Sequence, residues 1–401
     1  MSLPSHYFLE KIMKNNKIIL QPKYVDAFQC DGAKCNAKCC GNWRIDIDME
    51  SYKDYQRIKN PVIRKKILSC MKPSEVKQCF QINLRDNGVC PMVCDDSLCY
   101  IQRNLGADAL SITCQTYPRN VVNIGNCQLR LLSLSCPIAA EKALFSADGM
   151  YIQQKEKVDN SGAWQWAVNV EDKAKIHTDE LLVANVILGG LSILQNTAYT
   201  REQRLVVLGL FLDRAEEIKH DAKAVAELLE YYNGDNFKKE VSILWNDWKF
   251  YRIAHKQFLT GILHILNDER KIEIIEPFIA TNYNYEEVYE KEHDAMEEKV
   301  GIVLDRYCQH EWLFHGFPFY MDGGFIHNYF AYLIAYKIAE LYIYTVYDFR
   351  DNVSKERFIN GVGVISRIMD HKAKFIDILV KETAVFEKEP LKFMQVLLRI
   401  K

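Results

Sequence analysis

Twelve of the thirteen cysteines lie before residue 137, and the last, Cys308, stands alone. In a secreted chain such a run reads as a disulfide framework. In a reducing compartment it reads as a thiolate metal site. The first residues, MSLPSHYFLEKIMKNNK, carry no continuous apolar stretch like that of a secretory leader. The chain is therefore expected in the cytoplasm with its thiols reduced. The odd count also speaks against complete pairing.

The spacings are Cys30-x4-Cys35-x3-Cys39-Cys40, then Cys70 and Cys79 singly, then Cys90-x3-Cys94-x4-Cys99, then Cys114, Cys127 and Cys136. Two clusters that converge in space make one soft, sulfur-rich site, which suits zinc or an iron–sulfur cluster. A zinc ribbon uses two C-x2-C knuckles, and this chain has none. Adjacent Cys39 and Cys40 do not easily serve one tetrahedral ion together, which favours iron–sulfur and leaves zinc as the alternative. The isolated Cys70, Cys79, Cys127 and Cys308 read as small core residues.

Composition narrows the function classes. Of 401 residues, 49% are hydrophobic, and the formal charge is -2. A packed core is expected, and a general nucleic-acid binder with a dominant basic field is not. No uncharged apolar run reaches the ~18 residues of a membrane helix.

Periodicity and turn signals predict a mainly α protein. A small Cys-rich, metal-binding α+β domain with short hairpins spans residues 1–150. A polar connector follows at 151–176, and an all-α helical domain fills 177–401. Asp48 is placed to cap a helix from Met49, and Pro61 and Pro137 to open two more. Hairpins are expected at Asp86-Asn87-Gly88 and at Gly125-Asn126. Thr200 and Gln203 form a capping box. Further helices are expected over Ala222–Tyr232, Phe237–Leu266, Tyr285–Tyr307, Phe325–Tyr347 and Lys355–Val385.

From Tyr307 to Tyr347 there are 14 aromatics in 41 residues, which reads as core, with a lysine-binding cage as the competing reading. Glu286–Lys299, with seven acids and two lysines, reads as a solvated helix face. The C-x3-C-x2-C triad of radical enzymes is absent, because Asn42 and Ser97 stand where third cysteines would be. No G-x-G-x-x-G follows a strand, and no P-loop, H-E-x-x-H or G-x-S-x-G occurs.

Three stretches carry a resemblance. They are Phe28-Gln29-Cys30 through Cys39-Cys40-Gly41-Asn42-Trp43-Arg44-Ile45-Asp46-Ile47-Asp48; Gly88-Val89-Cys90-Pro91 through Thr113-Cys114-Gln115-Thr116-Tyr117-Pro118-Arg119; and Leu132-Ser133-Leu134-Ser135-Cys136-Pro137. Together they resemble the flagellin lysine-N-methylase family (FliB-type), which carries a Cys-rich zinc- or iron-chelating module. The likeness is specific over about residues 25–145. In the helical half it rests on Tyr307, Trp312 and Phe317-Pro318-Phe319.

Cys30, Cys35, Cys39, Cys40, Cys90, Cys99, Cys114 and Cys136 match the family pattern, and Cys94 does not. The resemblance implies methyl transfer from S-adenosylmethionine to surface lysines of flagellin, with a [4Fe–4S] cluster held by four of the eight. The surplus thiols are left for a second metal or for tuning the first.

Asp46, Asp48 and Tyr117 lie within the family motifs and are the catalytic candidates. Arg44 and Arg119 are candidates for gripping a cofactor carboxylate. Each has an ordinary structural reading beside it: a helix cap for Asp48, a surface carboxylate for Asp46, packing for Tyr117 and surface ion pairs for the arginines. The competing function is a non-catalytic, metal-stabilised binding module for flagellin or another secreted subunit.

Overall fold

The computed structural model describes residues 18–35, 39–41, 43–76, 78–155, 164, 167–169, 179–268, 285–346, 354–371, 381 and 383–400. The architecture is mainly helical, with an α+β region first and a helical domain after it. Its strands are β1 (Ile18–Pro22), β2 (Asp46–Asp48), β3 (Met71–Pro73), β4 (Cys79–Ile82), β5 (Arg119–Ile124), β6 (Cys127–Leu132), β7 (Ile152–Lys155) and β8 (Ala167–Asn169).

They form two sheets. The larger has the order β7-β1-β6-β5-β8, and the smaller β2-β4-β3. In the larger sheet β1 runs parallel to β6 and β8 parallel to β5, while the other neighbours are antiparallel. β5 and β6 are the hairpin expected at Gly125-Asn126, with Ile124 opposite Cys127 and Gly125 at a φ of 52°. β7 and β8 come from the segment read as a connector. Of 151–176, the remainder apart from Tyr151 and Trp164 lies outside the described residues.

The Asp86-Asn87-Gly88 turn forms, with Gly88 N–H donating to Arg85 O at 2.8 Å. The strand leaving it does not return along β4, however. Val89 bridges to Gly41, and β4 is flanked instead by β2 and β3. Turn chemistry fixed the reversal, and long-range pairing chose the partner.

The helices begin where the caps dictate. α1 (Met49–Gln56) starts at Asp48, whose side chain accepts from Ser51 N. α2 (Pro61–Leu68) starts on Pro61, with Asn60 accepting from Val62 N and Ile63 N. α3 (Tyr100–Leu105) and α4 (Ile112–Thr116) follow, then α5 (Pro137–Phe145), which has Cys136 at its N-cap. The helical domain holds α6 (Glu180–Leu194), α7 (Arg201–Glu217), α8 (Ala222–Asn233), α9 (Asp235–Asn246), α10 (Arg252–Asp268), α11 (Tyr285–His315), α12 (Phe325–Val346), α13 (Ser354–His371) and α14 (Pro390–Leu397). The Thr200–Gln203 capping box opens α7 as expected.

Three helices depart from the periodicity reading. The single helix expected over 237–266 breaks between α9 and α10. Two groups in the break bond to the C-terminal segment instead: Tyr251 N–H donates to Gln395 O at 3.1 Å and Trp248 Nε1–H to Leu398 O at 3.0 Å. α11 runs past Tyr307 to His315 because Cys308, Trp312 and Leu313 extend its buried face. α13 is described as far as His371, Lys381 is helical, and Val385 lies in a single 3-10 turn, Ala384–Phe386; residues 372–380 and 382 of that expected helix lie outside the described residues.

Two hydrophobic cores result. The larger unites Val122 and Leu129 of the sheet, Leu144 of α5, and helical residues such as Ile187, Leu208 and Tyr332. The smaller is built from Ile45, Ile47, Tyr55, Ile67, Ile82, Cys90, Met92 and Ile101. The aromatic run is core: Tyr307, Trp312, Phe317, Tyr329, Phe330 and Tyr332 are fully buried. Trp312 lies against α6 because position 190 is glycine, where a Cβ would sit 2.3 Å from the indole. Its Nε1–H donates to Ile187 O at 2.8 Å.

The helical domain also buries charge. Arg201 meets Glu202, Glu297 and Asp305, so the acidic stretch before Lys299 is not purely a solvated face. The side chains of residues 285–292 are outside the described set. Lys337 pairs with Glu340, and Tyr336 donates to Glu340 at 2.6 Å, all three buried. Breaking a buried pair strands its partner. Glu340→Leu is expected to cost about 3–5 kcal/mol, read as a lower denaturation midpoint.

Nearby, buried His255 donates from Nδ1 to Val396 O at 2.8 Å. Burial, with Lys337 adding to it, pushes its pKa down to about 3. The unfolded chain binds that proton near pH 6.5 and the folded chain does not. Stability is therefore present above pH 6.5 and falls by about 1.4 kcal/mol per unit as pH drops toward 3. His255→Gln is expected to flatten that acid-side loss in urea titrations between pH 6.5 and 4.

Candidate metal centre

The chain crosses between the two cores twice. It leaves β1 through Cys30, Cys35, Cys39 and Cys40 to enter the smaller core, and returns through Cys114 and Tyr117 to β5. Cys90 and Cys99 belong to the smaller core, while Cys136 belongs to the larger. These eight thiols all line one cavity of about 150 Å³.

Local structure fixes each approach. Cys90 N–H donates to Cys40 O at 2.7 Å. The adjoining Gly41–Val89 bridge requires glycine, since a Cβ at 41 would lie 2.6 Å from Gly88 O. Cys99 and Cys136 are the N-caps of α3 and α5. Trp43 Nε1–H donates to Cys39 O at 2.7 Å, and its ring lies 6.1 Å from that of Tyr117. The Tyr117 hydroxyl in turn is 3.0 Å from Ser135 Oγ, beside Cys136.

All thirteen cysteines are free of disulfides. Burial pushes the Cys90 and Cys114 thiols up to about 12 and that of Cys136 up to about 11. Cys114 keeps accessible surface because it lines the cavity, yet protein encloses it. Cys39 and Cys40 lie 3.9 Å apart, sulfur to sulfur. The hydrogen bond between them lowers the Cys40 thiol and raises that of Cys39. Enclosed thiols of this kind stay protonated unless a cation takes the place of the proton.

The donor set fits a thiolate-ligated metal group. One water needs roughly 10–15 Å³ of such space, so the cavity has room for a polyatomic group. Four thiolates around one zinc at about 2.3 Å would stand about 3.8 Å apart. Among the described residues, no three thiols come mutually within 4.8 Å; the trio that does is Glu202, His293 and Glu297 in the helical domain. Cys39 and Cys40 stand at that spacing, but no third described thiol joins both within 4.8 Å. Among the described residues, no lysine, arginine or histidine lines the cavity.

Of the other candidate residues, Tyr117 lines the cavity. Arg119 does not, but its guanidinium lies 5.6 Å from the ring of Phe28, which does. Arg44, Asp46 and Asp48 are elsewhere. Arg44 pairs with Asp46 at 3.0 Å, and Asp46 accepts from Ser74 Oγ at 2.9 Å. Asp48 accepts from Ser51 N at 2.8 Å, Ser51 Oγ at 2.7 Å and Ile112 N at 3.2 Å. Burial alone would push its carboxyl up, but these bonds outweigh it and hold the pKa below the ordinary value.

The sequence reading missed Asp31, the one carboxylate among the described residues of the lining, and the apolar wall of Phe28, Trp43, Ile45, Tyr55, Ile82 and Met92. Asp31 adjoins Cys30 in sequence, which was the available signal. The isolated cysteines do pack as expected at Cys127 and Cys308, both buried, while Cys70 and Cys79 are half-buried.

The fold and site are those of a helical protein with a thiol-lined cavity at its α+β end. The model of the FliB lysine N-methylase C-terminal domain matches residues 190–397, and the chain belongs to that family. It is 28% identical over 228 residues to the lysine-N-methylase of Salmonella typhimurium (strain LT2), covering 53% of this chain and 52% of that protein. The same figures hold for the lysine-N-methylase of Salmonella choleraesuis. The alignment spans about half the length of those two relatives. The flagellar biosynthetic protein FliU of Salmonella muenchen is 32% identical over 151 residues, 34% of this chain and 83% of that protein. No solved structure matches.

Asp48→Ala is expected to remove the α1 cap and lower stability by about 1–2 kcal/mol in urea unfolding. The metal content of the purified protein should not change.

Proposed function

We propose that the protein transfers methyl groups from S-adenosylmethionine to lysine side chains of flagellin, at the thiol-lined cavity, which holds an iron–sulfur cluster. The convergence of eight thiols on one cavity, in a chain of the lysine N-methylase family, carries this reading. The spacing of the thiols favours a cluster over a single zinc ion. The name of the FliU relative favours a flagellar substrate.

The chemistry sets clear demands. A lysine amine attacks only when neutral, and its ordinary pKa is ~10.4. Nitrogen forms the new N–C bond, the sulfonium C–S bond breaks with its electron pair going to sulfur, and one ammonium proton leaves for solvent. The aromatic and aliphatic wall at Phe28, Trp43, Tyr55 and Tyr117 strips water from the amine, which favours its neutral form. Among the described residues the lining has no cationic side chain to repel an ammonium or a sulfonium, and Asp31 gives the incoming lysine an anionic contact. An iron–sulfur cluster, when bound, supplies Lewis-acid and redox chemistry; Cys30, Cys35, Cys39, Cys40, Cys90, Cys99, Cys114 and Cys136 are the residues available to hold it.

The test is the intact mass of flagellin after incubation with anaerobically purified protein and S-adenosylmethionine. Added mass in ~14 Da steps (one CH₂ per methyl transferred), lost in Cys39→Ala/Cys40→Ala, is the expected result. No added mass from metal-loaded protein that still binds flagellin would make the chain a non-catalytic binding module. Asp31→Asn is expected to raise KM for flagellin roughly tenfold, the worth of one charge-assisted contact, with kcat little changed.

A further inference from the structure

We propose that Glu202, His293 and Glu297 form a site for one divalent cation, which ties α7 to α11. None of the three lines the thiol-lined cavity, so this site stands or falls independently of the activity proposed there.

The helices bring the three residues together. His293 and Glu297 are one turn apart on α11 and so project from the same face. Glu202 lies in the first turn of α7, just after the Thr200 cap. One ligand atom from each residue lies within 4.8 Å of the others. Nitrogen and oxygen ligands at about 2.0–2.2 Å from an ion stand roughly 3–4.4 Å apart, so modest side-chain rotations close the set.

The charge count gives the second argument. Around the site, the guanidinium groups of Arg201 and Arg204 meet the carboxylates of Glu202, Glu297 and Asp305, two cations against three anions. Neighbouring Lys337 and Glu340 offset each other. Arg201 commits its donors to Tyr336 Oη at 2.9 Å, Gly301 O at 3.0 Å, Asp305 and Glu297. Glu202 is left over. It is only 5% exposed, and its Oε1 has no hydrogen-bond partner and stands 3.6 Å from Arg201 Nη2. The same nitrogen bonds to Glu297, so the orphaned oxygen faces the Glu297 side of the cluster. A buried carboxylate oxygen without a hydrogen bond is costly, and a cation bound at this point offsets that cost.

The imidazole gives the third. His293 Nδ1 lies 3.1 Å from Asp294 Oδ1. A proton held there puts the lone pair on Nε2, and a carboxylate behind the ring is the usual support of a metal-bound histidine. The side chains of His293 and Glu297 are 13% and 32% exposed, so an entering ion and its water ligands have access from solvent. Glycine at 301 keeps room beside Glu297, since a Cβ there would lie 2.7 Å from Glu297 Oε2. One imidazole with two carboxylates suits a divalent ion such as Mn²⁺ or Zn²⁺. α11 also bears Arg306 and His310, which contact Leu144 O and Leu132 O of the α+β region, so an ion here stiffens a helix that braces both domains.

The probe is Mn²⁺, a hard ion that thiols bind weakly. Full-length protein, purified anaerobically, is titrated with manganese chloride, and bound ion is counted from the loss of the free aquo-Mn²⁺ EPR signal. One Mn²⁺ per chain is expected, with a higher denaturation midpoint when it is bound. Glu202→Gln and His293→Gln should each weaken binding roughly tenfold or more. His293→Gln should also remove the imidazole-nitrogen modulation from the pulsed EPR spectrum. Cys39→Ala/Cys40→Ala should bind Mn²⁺ as before. Zn²⁺ should displace Mn²⁺ at lower concentration than Mg²⁺ does, because a nitrogen ligand favours it.

No bound Mn²⁺ at millimolar concentration would overturn the proposal. So would binding that survives both variants, binding that is lost with the two cysteines, or displacement by Mg²⁺ in preference to Zn²⁺. Where a variant fails to fold, the nitrogen modulation on the unmodified chain decides: its absence from bound Mn²⁺ also overturns the site. None of these outcomes bears on methyl transfer at the cavity.

Discussion

The structure depends on how two hydrophobic cores meet. The smaller core is joined to the larger by two chain crossings, and both carry cysteines into the space between. Eight thiols around a cavity of about 150 Å³ cannot all ionise there unaided. Protonated, they pack as small apolar groups. Burial pushes the thiols of Cys30, Cys90, Cys99, Cys114 and Cys136 up, so these ionise only beside a cation that offsets the desolvation. A metal bound at this seam would be linked to the docking of one core on the other, and its free energy would become part of the folding free energy.

The helical domain contributes by gripping the wall that bears Cys136. At one end, His310 Nε2 lies 3.0 Å from both Tyr24 Oη and Leu132 O, just before the Ser133–Cys136 turn. At the other end of α5, Arg306 donates to Leu144 O at 2.8 Å and to Ala147 O at 2.7 Å. α11 supplies both His310 and Arg306, and α11 is held in turn by Trp312 seated on Gly190 and by the Arg201 charge cluster. A rigid helical body thus fixes one wall of the cavity, while the other is fixed by the small sheet and α3.

Much of the local structure was legible beforehand. Caps and prolines marked the starts of α1, α2, α5 and α7, because those signals satisfy orphan backbone N–H groups within a few residues. The β5–β6 hairpin was legible for the same reason. What failed was anything decided at long range. The chain after Gly88 pairs with Gly41 instead of β4, the helix expected over 237–266 opens where Tyr251 and Trp248 bond to the C-terminal segment, and the parallel β1–β6 pairing left no periodic trace. In the cavity, the eight cysteines were legible as a set because soft-ligand chemistry is written in residue type. Asp31 was not, since one carboxylate on a loop looks like any other.

By itself the sequence determined that this is a mainly helical protein with a sulfur-rich α+β end, because those properties reside in composition, spacing and local capping. Only the tertiary structure decided that the eight thiols share one cavity and that Arg44, Asp46 and Asp48 stand apart from it. Those outcomes depend on which distant segments pack together, and packing free energy is summed over the whole core rather than over any stretch of chain.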